Sequence, residues 1–326
     1  MSIQDDEIYI SSNHNIYIKL YVYIIHIMEE YQETQYLNLV RTILRDGSHE
    51  STRNGNVLSI FGHSMRFKLK DGILPLLTTK KIAWKSCFKE LMWFVRGETD
   101  NKILQDQDVH IWDGNGSRDF LDSRGLFHHK EGDLGPIYGF QWRHWNTPYN
   151  GCYNTNDEGY ACKGIDQLSE LIVALKNSET RSSRRLVISS WNPEQLDEMA
   201  LPPCHILMQF HVKNNTHLSC SLYQRSGDVG LGVPFNIASY SMLTHLIAKH
   251  CGLIADEFIY FLGDAHIYEE HIEPLELQLT RNPRPFPKIK ILRQHTRIED
   301  YDLVNNDIEW IEPYIFHNPI KMKLIV

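Results

Sequence analysis

One cysteine of the chain stands in a context that suits a nucleophile. Cys204 follows Leu201-Pro202-Pro203 and directly precedes His205, after which the pattern predicts a strand. The two prolines restrict the approach of the backbone, so the thiol would be presented at the end of an element, where reactive groups are commonly found. A thiolate in such a position can add to an electrophilic carbon. The alternative interpretation is a buried structural thiol.

Two arginine segments could bind an anion. Arg184-Arg185 opens a predicted strand, and Arg225-Ser226 closes another. A guanidinium group can hold a phosphate through two parallel hydrogen bonds. The alternative for both segments is a solvated strand end. A glycine-rich turn follows Ser226, but it is accompanied neither by a Walker lysine nor by a strand–turn–helix fingerprint, so neither of these nucleotide-binding motifs is present.

A carboxylate inside an apolar segment is the third candidate for chemistry. Glu90 begins the run Glu90-Leu91-Met92-Trp93-Phe94, which lies in a helix predicted over about residues 82–95. Burial of an unpaired carboxylate costs free energy. Glu90 is therefore predicted to be either a surface residue or a functional group.

The composition limits the classes of protein to consider. Lys and Arg number 33 against 41 Asp and Glu, a net charge of −8, which argues against a bulk nucleic-acid binder. The hydrophobic fraction of 42% excludes global disorder. The six cysteines form no C-x-x-C pair, so we expect no zinc site and reduced thiols in the cytoplasm, with the nucleus as the alternative.

No targeting or membrane segment is predicted. The longest apolar run, residues 16–28, contains Lys19 and His26 and is shorter than the roughly 20 residues that span a bilayer. Asp5, Asp6 and Glu7 precede this run where a signal peptide carries basic residues. We therefore expect a soluble protein without a membrane partner.

The elements that must position these residues intermingle helices and strands. Periodicity predicts helices from Thr34 and over Ile82–Val95, Asp166–Lys176 and Ile237–His250. Short strands are predicted between them, two of which are Val57–Phe61 and Met65–Leu69, and residues 113–164 are interpreted as long irregular loops. The pattern indicates an α+β fold with a mixed sheet flanked by helices, in a single domain over 34–326. Residues 1–33 are interpreted as a partly ordered extension.

Taken together, these segments resemble the thymidylate synthase family over residues 34–326, in the family's order. The segments that carry the resemblance are Ile111-Trp112-Asp113, residues 132–139, Leu201-Pro202-Pro203-Cys204-His205, Gln224-Arg225-Ser226-Gly227-Asp228, residues 234–240, residues 263–268 and the Lys321-Met322 tail. Residues 115–122 and 146–164 look like the insertions of the eukaryotic form. The chain shows no dihydrofolate reductase segment, which is typical of the stand-alone form.

The resemblance implies methylation of dUMP to dTMP by 5,10-methylenetetrahydrofolate, the co-substrate that supplies both the one-carbon unit and the hydride. No metal is implied. The fold would be that of the family, with sheets packed face to face in a homodimer. The residues matching the family's catalytic groups are the nucleophile Cys204, together with Glu90, Tyr138, Asn236 and Asp228.

The resemblance also implies two sets of binding residues. For dUMP these are Arg53, Arg225 and Ser226 at the phosphate, Arg184 and Arg185 from the partner subunit at the same phosphate, Asn236 at the uracil edge, and His266 and Tyr268 at the 3′-hydroxyl. For the folate they are Ile111, Trp112, Asn115, Asp228 and Val326. Cationic Arg225 near Cys204 is expected to favour the thiolate.

Two alternatives remain open from the sequence. A pyrimidine nucleotide hydroxymethylase of the same fold would add water instead of hydride, but its cytidylate-specific members carry Asp where Asn236 stands. An inactive homologue acting as an RNA-binding or scaffold protein is the second alternative, and the complete catalytic set and the acidic charge argue against it. We expect no DNA partner, and RNA binding is not indicated. The chain departs from the family pattern at Thr52-Arg53-Asn54-Gly55-Asn56, at Glu269-Glu270 and in residues 310–318.

Overall fold

The first helix, α1 (Thr34–Asp46), buries one apolar face against the sheet that follows it, as its spacing of Tyr36, Val40 and Ile43 predicts. The computed structural model describes residues 32–152 and 164–325. In this part of the chain the further helices are α2 (Trp84–Val95), α3 (Asn101–Gln105), α4 (Asp113–Gly116), α5 (Arg118–Ser123), α6 (Tyr138–His144), α7 (Gln167–Lys176), α8 (Gly232–His250) and α9 (Ile272–Leu279).

The strands form one large mixed sheet and one small one. They are β1 (Ser48–Thr52), β2 (Gly55–Lys68), β3 (Val187–Ser189), β4 (His205–Lys213), β5 (His217–Asp228), β6 (Ile254–Tyr268), β7 (Lys288–Ile291) and β8 (Ile308–Glu312). The large sheet has the order β1-β2-β6-β5-β4-β3, and β7 pairs with β8 separately. Every pair in the large sheet is antiparallel except β5 with β6, which run parallel because α8 connects them.

Helix α8 lies at the centre of the core. Most of its residues are buried around the whole helix, which is the pattern of an enclosed helix rather than an amphipathic surface one. It packs against β5 and β6 on one side and against α2 on the other. The layer of helices therefore covers one face of the sheet.

The opposite face of the sheet carries apolar side chains that remain exposed in the single chain. Tyr223 of β5 pairs with Leu207 of β4 and with Phe261 of β6, so the three form one row across the sheet. Their exposed fractions are 38%, 41% and 43%, and Phe61 of β2 is exposed to 85%. A row of this kind is typical of a surface that another chain covers.

The predicted α+β class is confirmed, whereas several element boundaries are corrected. The two strand runs predicted at residues 57–61 and 65–69 are one strand, because the pairing of β2 with β6 continues on both sides of Gly62. The segment predicted as irregular loop contains α4, α5 and α6, each of seven residues or fewer and thus too short for a clear period. Helix α8 begins five residues before its predicted start.

The two described residues of the predicted extension contact the body of the protein. Both carboxylate oxygens of Glu33 accept hydrogen bonds from the backbone and side chains of Thr78 and Thr79, and Glu33 is fully buried. Gln32 accepts a hydrogen bond from the Lys68 amide. The domain boundary stays a prediction, since residues 1–31 lie outside the described residues. Within the described ranges, no helix combines the length and apolar character that crossing a bilayer requires.

Candidate active site

Cys204 lies at the junction between the proline segment and β4. It directly precedes the strand, and its backbone N–H donates a hydrogen bond of 2.8 Å to the Tyr138 hydroxyl. Tyr138 is the first residue of α6, which approaches α2 closely at Gly139, since a Cβ there would lie 2.7 Å from the Phe94 carbonyl oxygen. The close contact of the two helices thereby places the Tyr138 hydroxyl beside the thiol.

Arg225 is the cation nearest to the thiol among the described contacts. Its Nη2 atom lies 3.9 Å from Cys204 Sγ, and its guanidinium donates to the carbonyl oxygens of Pro203 and Pro202 at 2.8 and 3.0 Å. Burial raises the pKa of the Cys204 thiol, while Arg225 and Tyr138 act in the opposite direction. Arg225 thus favours the thiolate, as expected, although desolvation by burial has the larger effect on the pKa of the thiol in the free chain.

His205 forms an aromatic layer beneath Tyr138. The two rings stack with centroids 4.0 Å apart, and His205 Nδ1 lies 2.6 Å from the Tyr240 hydroxyl of α8. Burial lowers the pKa of His205 to about 3, so its imidazole is neutral at physiological pH. His205 therefore supports Tyr138 without adding a charge to the site.

Glu90 lies on α2 as a buried carboxyl. Its Oε1 accepts a hydrogen bond of 2.7 Å from the Trp112 indole N–H. Burial raises the pKa of Glu90 to about 7, and the bond from Trp112 acts against this rise. The sequence left open a surface or a functional position, and the burial excludes the surface. A carboxyl with a pKa near neutrality can both donate and accept a proton.

Asn236 and Asp228 lie on the two sides of the turn between β5 and α8. Asn236 is in the first turns of α8, is only 9% exposed, and its side-chain amide has no hydrogen-bond partner among the described residues. Asp228 ends β5, and its Oδ1 accepts a hydrogen bond of 2.8 Å from the Gly230 amide. A buried amide without a partner is typical of a group that binds a ligand.

A cavity of about 250 Å³ opens beside this turn. Its lining includes Arg53 and Asn54 from the β1–β2 turn, Ser226 from β5, and Asp264, His266 and Tyr268 from β6. His266 Nδ1 lies 2.7 Å from Asp264 Oδ1, which leaves the other ring nitrogen for a second partner. The cavity thus unites four of the residues predicted to bind dUMP, namely Arg53, Ser226, His266 and Tyr268.

Arg184 and Arg185 lie apart from this cavity in the single chain. They occupy a turn before β3, instead of the strand start predicted from the sequence, and both are exposed. Their guanidinium groups have no hydrogen-bond or ion-pair partner within residues 32–152 and 164–325. The structure therefore leaves both groups free for an external anion.

The predicted folate residues other than Asp228, which lies at the end of β5, fall into two groups. Trp112 and Asn115 are buried around α4, with Ile111 half-buried beside them. Val326 lies outside the described residues. In the described part of the chain, no group of three or more His, Cys, Asp or Glu side chains is arranged to hold a metal ion.

Two residues near the site were missed by the sequence reasoning. Lys80 is 4% exposed, and its ammonium donates to the Gly230 carbonyl. Burial lowers the pKa of Lys80 to about 8, although Asp228 and Glu33 act against this change. His271 is fully buried beside Asp228. Neither residue stands in a recognisable motif, and only the folded contacts reveal them.

Comparison with known proteins identifies the family of the chain. The family model described as thymidylate synthase matches residues 34–326. The chain is 50% identical over 295 residues to the human thymidylate synthase, which covers 90% of this chain and 91% of the relative, and 51% identical to that of equine herpesvirus 2, covering 98% of the relative. The bifunctional dihydrofolate reductase-thymidylate synthase of Leishmania major is 49% identical over 303 residues, and there the chain spans only 56% of the relative's length. From the order of its motifs, its mixed sheet and these similarities, the chain belongs to the thymidylate synthase family.

Proposed function

We propose that this protein catalyses the reductive methylation of dUMP to dTMP with 5,10-methylenetetrahydrofolate as co-substrate. The observation that carries the proposal is the convergence of a cysteine, an arginine and a tyrosine at one point. Cys204 Sγ lies 3.9 Å from Arg225 Nη2, and the Cys204 amide donates to Tyr138. Ser226, adjacent to Arg225, lines the neighbouring cavity, so the nucleophile and a nucleotide-sized site are contiguous.

The binding of dUMP is assigned to the cavity and the turn beside it. Arg53, Arg225 and Ser226 hold the phosphate, since guanidinium and hydroxyl groups are good phosphate donors. His266 and Tyr268 bind the 3′-hydroxyl, with Asp264 fixing the ring of His266 at 2.7 Å. The Asn236 amide donates to O4 of uracil and accepts from N3–H, which satisfies the side chain that has no partner in the described chain.

The chemistry assigned to Cys204 begins with addition of its sulfur to C6 of uracil. The electrons of the C5–C6 double bond then reside on the enolate, so C5 becomes a nucleophile and bonds to the one-carbon unit. The proton on C5 leaves through water held by Tyr138, and its electron pair expels the folate nitrogen, which leaves an exocyclic methylene on C5 while the sulfur remains bonded to C6. Hydride transfer from this tetrahydrofolate to the methylene completes the methyl group, breaks the sulfur–C6 bond to restore the thiolate, and leaves dihydrofolate.

Arg225 acts against the unfavourable ionisation of the buried thiol. Pro202 and Pro203 carbonyl oxygens hold the Arg225 guanidinium beside the sulfur, so this cation faces both the thiol and the bound anion. Burial opposes the thiolate in the free chain. The groups that stabilise the thiolate charge of Cys204 are thus the Arg225 cation and the Tyr138 hydroxyl.

The residues around Glu90 fit the folate co-substrate. Two acidic side chains are acceptors for the N–H groups of a pterin. They are the buried carboxyl of Glu90 and the Oδ2 atom of Asp228, which has no partner in the described chain. Ile111 and Trp112 supply apolar surface, and Asn115 a buried amide. When bound, the co-substrate supplies the one-carbon unit and the hydride. Glu90, whose pKa is raised to about 7 by burial, holds the water that exchanges protons at uracil O4.

The functional unit is proposed to be a homodimer. The exposed row of Leu207, Tyr223 and Phe261 gives the sheet an apolar face of the kind that a second copy covers. Arg184 and Arg185, free in the single chain, would then reach the phosphate site of the neighbouring subunit.

The five cysteines in the described chain are all free thiols, which supports a cytoplasmic or nuclear location.

A trapped adduct tests this function. Incubation with 5-fluoro-dUMP and methylenetetrahydrofolate should give a covalent ternary adduct, because fluorine at C5 cannot leave as a cation. Intact mass spectrometry and peptide mapping should place the adduct on Cys204 of the wild type and of Cys251→Ser, which removes a buried thiol at the end of α8. Cys204→Ser should form none.

Three outcomes would contradict the proposal. An adduct on another cysteine would overturn the assignment of the nucleophile, and wild-type binding of dUMP without release of dihydrofolate, followed by absorbance, would indicate an inactive homologue. A hydroxymethyl product from dUMP would favour the hydroxymethylase instead.

A further inference from the structure

A buried histidine joins Asp228 to the C-terminal segment formed by residues 321–325. His271 is fully buried in the short turn that connects β6 to α9. Its Nε2 lies 2.8 Å from the Lys323 carbonyl oxygen, and its Nδ1 lies 3.4 Å from Asp228 Oδ1. The two ring nitrogens therefore face a residue of the candidate site and the backbone of the tail.

The surroundings fix the ring in this position. A Cβ at Gly230 would lie 2.5 Å from His271 Nδ1, so only glycine permits the turn to approach the ring so closely. The Tyr268 ring contacts the opposite side at a centroid distance of 5.6 Å. Lys80 donates to the Gly230 carbonyl and lies 3.9 Å from Met322 Sδ, which makes a second link from the same turn to the tail.

The hydrogen-bonding partners determine the protonation of the ring. The Lys323 carbonyl can only accept, so His271 Nε2 must carry a hydrogen. Nδ1 is buried without a hydrogen-bond partner, 3.4 Å from the Asp228 carboxylate, so a neutral ring would turn its lone pair toward that charge and an imidazolium would turn an N–H toward it. Burial lowers the pKa of His271, but Asp228 and the Lys323 carbonyl raise it on balance above its ordinary value, against the opposing charge of Lys80.

We propose that His271 is a positioning residue that couples docking of the tail to the orientation of Asp228. When residues 321–325 lie against the protein, the ring is held by Lys323 and in turn holds the Asp228 carboxylate toward the folate side of the site. When the tail leaves, the carboxylate loses this constraint. The proposal rests on the proposed function for the role of Asp228, but the docking of the tail can be measured without any activity.

Two substitutions separate the two contacts of the ring. The side-chain amide of His271→Gln reaches about as far as Nε2 and can still donate to Lys323, whereas that of His271→Asn reaches only about as far as Nδ1. Trypsin cleavage after Lys321 or Lys323, read from the intact mass, reports the undocked population in the free protein. We expect cleavage about tenfold faster in His271→Asn and near the wild-type rate in His271→Gln, as the loss of one charge-assisted hydrogen bond predicts.

Kinetics provide the second measurement. In His271→Asn the KM for the folate should rise and kcat should fall, while the affinity for dUMP stays within about twofold of wild type, since His271 does not line the dUMP cavity. His317→Phe is the matched control, because it removes a ring contact of 2.9 Å between the C-terminal region and the Asn282 carbonyl without touching Asp228. Its folate KM should remain unchanged.

The outcomes distinguish coupling from simple packing. Equal tail cleavage in wild type and His271→Asn would overturn the proposal. So would a parallel loss of dUMP affinity and thermal stability in both His271 variants, because a space-filling role predicts it. If the wild type itself lacked turnover, the proposed function would fail while the cleavage rates still decided whether His271 holds the tail.

Discussion

Glu90 is a buried carboxyl whose one side-chain hydrogen bond in the described chain comes from Trp112. Its pKa, raised by burial to about 7, lies above the ordinary value of 4.5. Between these values the folded chain binds a proton that the unfolded chain has released, so the free energy of unfolding falls as the pH rises through this window. Above about pH 7 the folded state carries the full cost of a buried charge.

Replacement by an isosteric amide removes this pH dependence. Glu90→Gln keeps an acceptor for the Trp112 indole but cannot ionise. Relative to this variant, the wild type should lose about 2–3 kcal/mol of stability between pH 4.5 and 8, measured by urea unfolding at several pH values. Other titrating groups cancel in the comparison. Parallel stability profiles for the two proteins would show that Glu90 is not desolvated.

The sequence predicts a functional residue well where a recognisable motif surrounds it. It predicts poorly where the role of the residue depends on contacts made in the folded chain. Cys204 and Arg225 were identified because prolines and a strand end surround them. Lys80 and His271 were not, because the first follows two threonines and the second follows two glutamates, with nothing local to indicate burial. The roles of both residues depend on contacts with the turn at Gly230, and these contacts exist only in the folded chain.

At the scale of elements, one buried carboxylate accepts four hydrogen bonds from the segment between β2 and α2. The hydrogen bonds from Thr78 and Thr79 to Glu33 have lengths of 2.5–2.9 Å, and the next residue is Lys80, which contacts the β5–α8 turn. An amide in place of Glu33 would turn an N–H₂ group toward these donors. We expect Glu33→Gln to lose about 2–4 kcal/mol of stability, because buried donors are left without an acceptor.

Chemical denaturation of purified variants measures this loss. Glu179→Gln, an equal change of charge on an exposed turn, is the control and should differ from wild type by less than about 0.5 kcal/mol. If both variants unfold at the same denaturant concentration, Glu33 is not an anchor of this segment.

The differences between the predicted and the observed element boundaries have physical causes. Helix α8 starts at Gly232 and includes Pro234, residues that discourage a helix on propensity alone, but Pro is tolerated in a first turn. Strand β2 passes through Gly62 because its pairing with β6 outweighs the interrupted alternation. The long periodic helices α1 and α2 were predicted closely, since packing and period agree there.

At the scale of the whole molecule, one face of the sheet remains apolar and open. The row of Leu207, Tyr223 and Phe261 lies opposite the helical layer, and the turn with Arg184 and Arg185 precedes the edge strand β3 of the same sheet. Because the two arginines lie in a turn, strand alternation does not decide their direction. If two such faces pack together, the arginine turn of each chain contributes to the cavity of the other chain.

Subunit complementation decides whether the arginines act across the interface. Cys204→Ser and the double variant Arg184→Ala/Arg185→Ala should each be nearly inactive. After subunit exchange, a heterodimer has one site with an intact Cys204 from one chain and both arginines from the other, so an equal mixture should regain about a quarter of the wild-type turnover. A mixture of Cys204→Ser with Arg225→Ala is the control, and it should stay inactive because Arg225 contacts the cysteine of its own chain. Inactive heterodimers in the first mixture, confirmed by native mass spectrometry, would place Arg184 and Arg185 in the site of their own subunit.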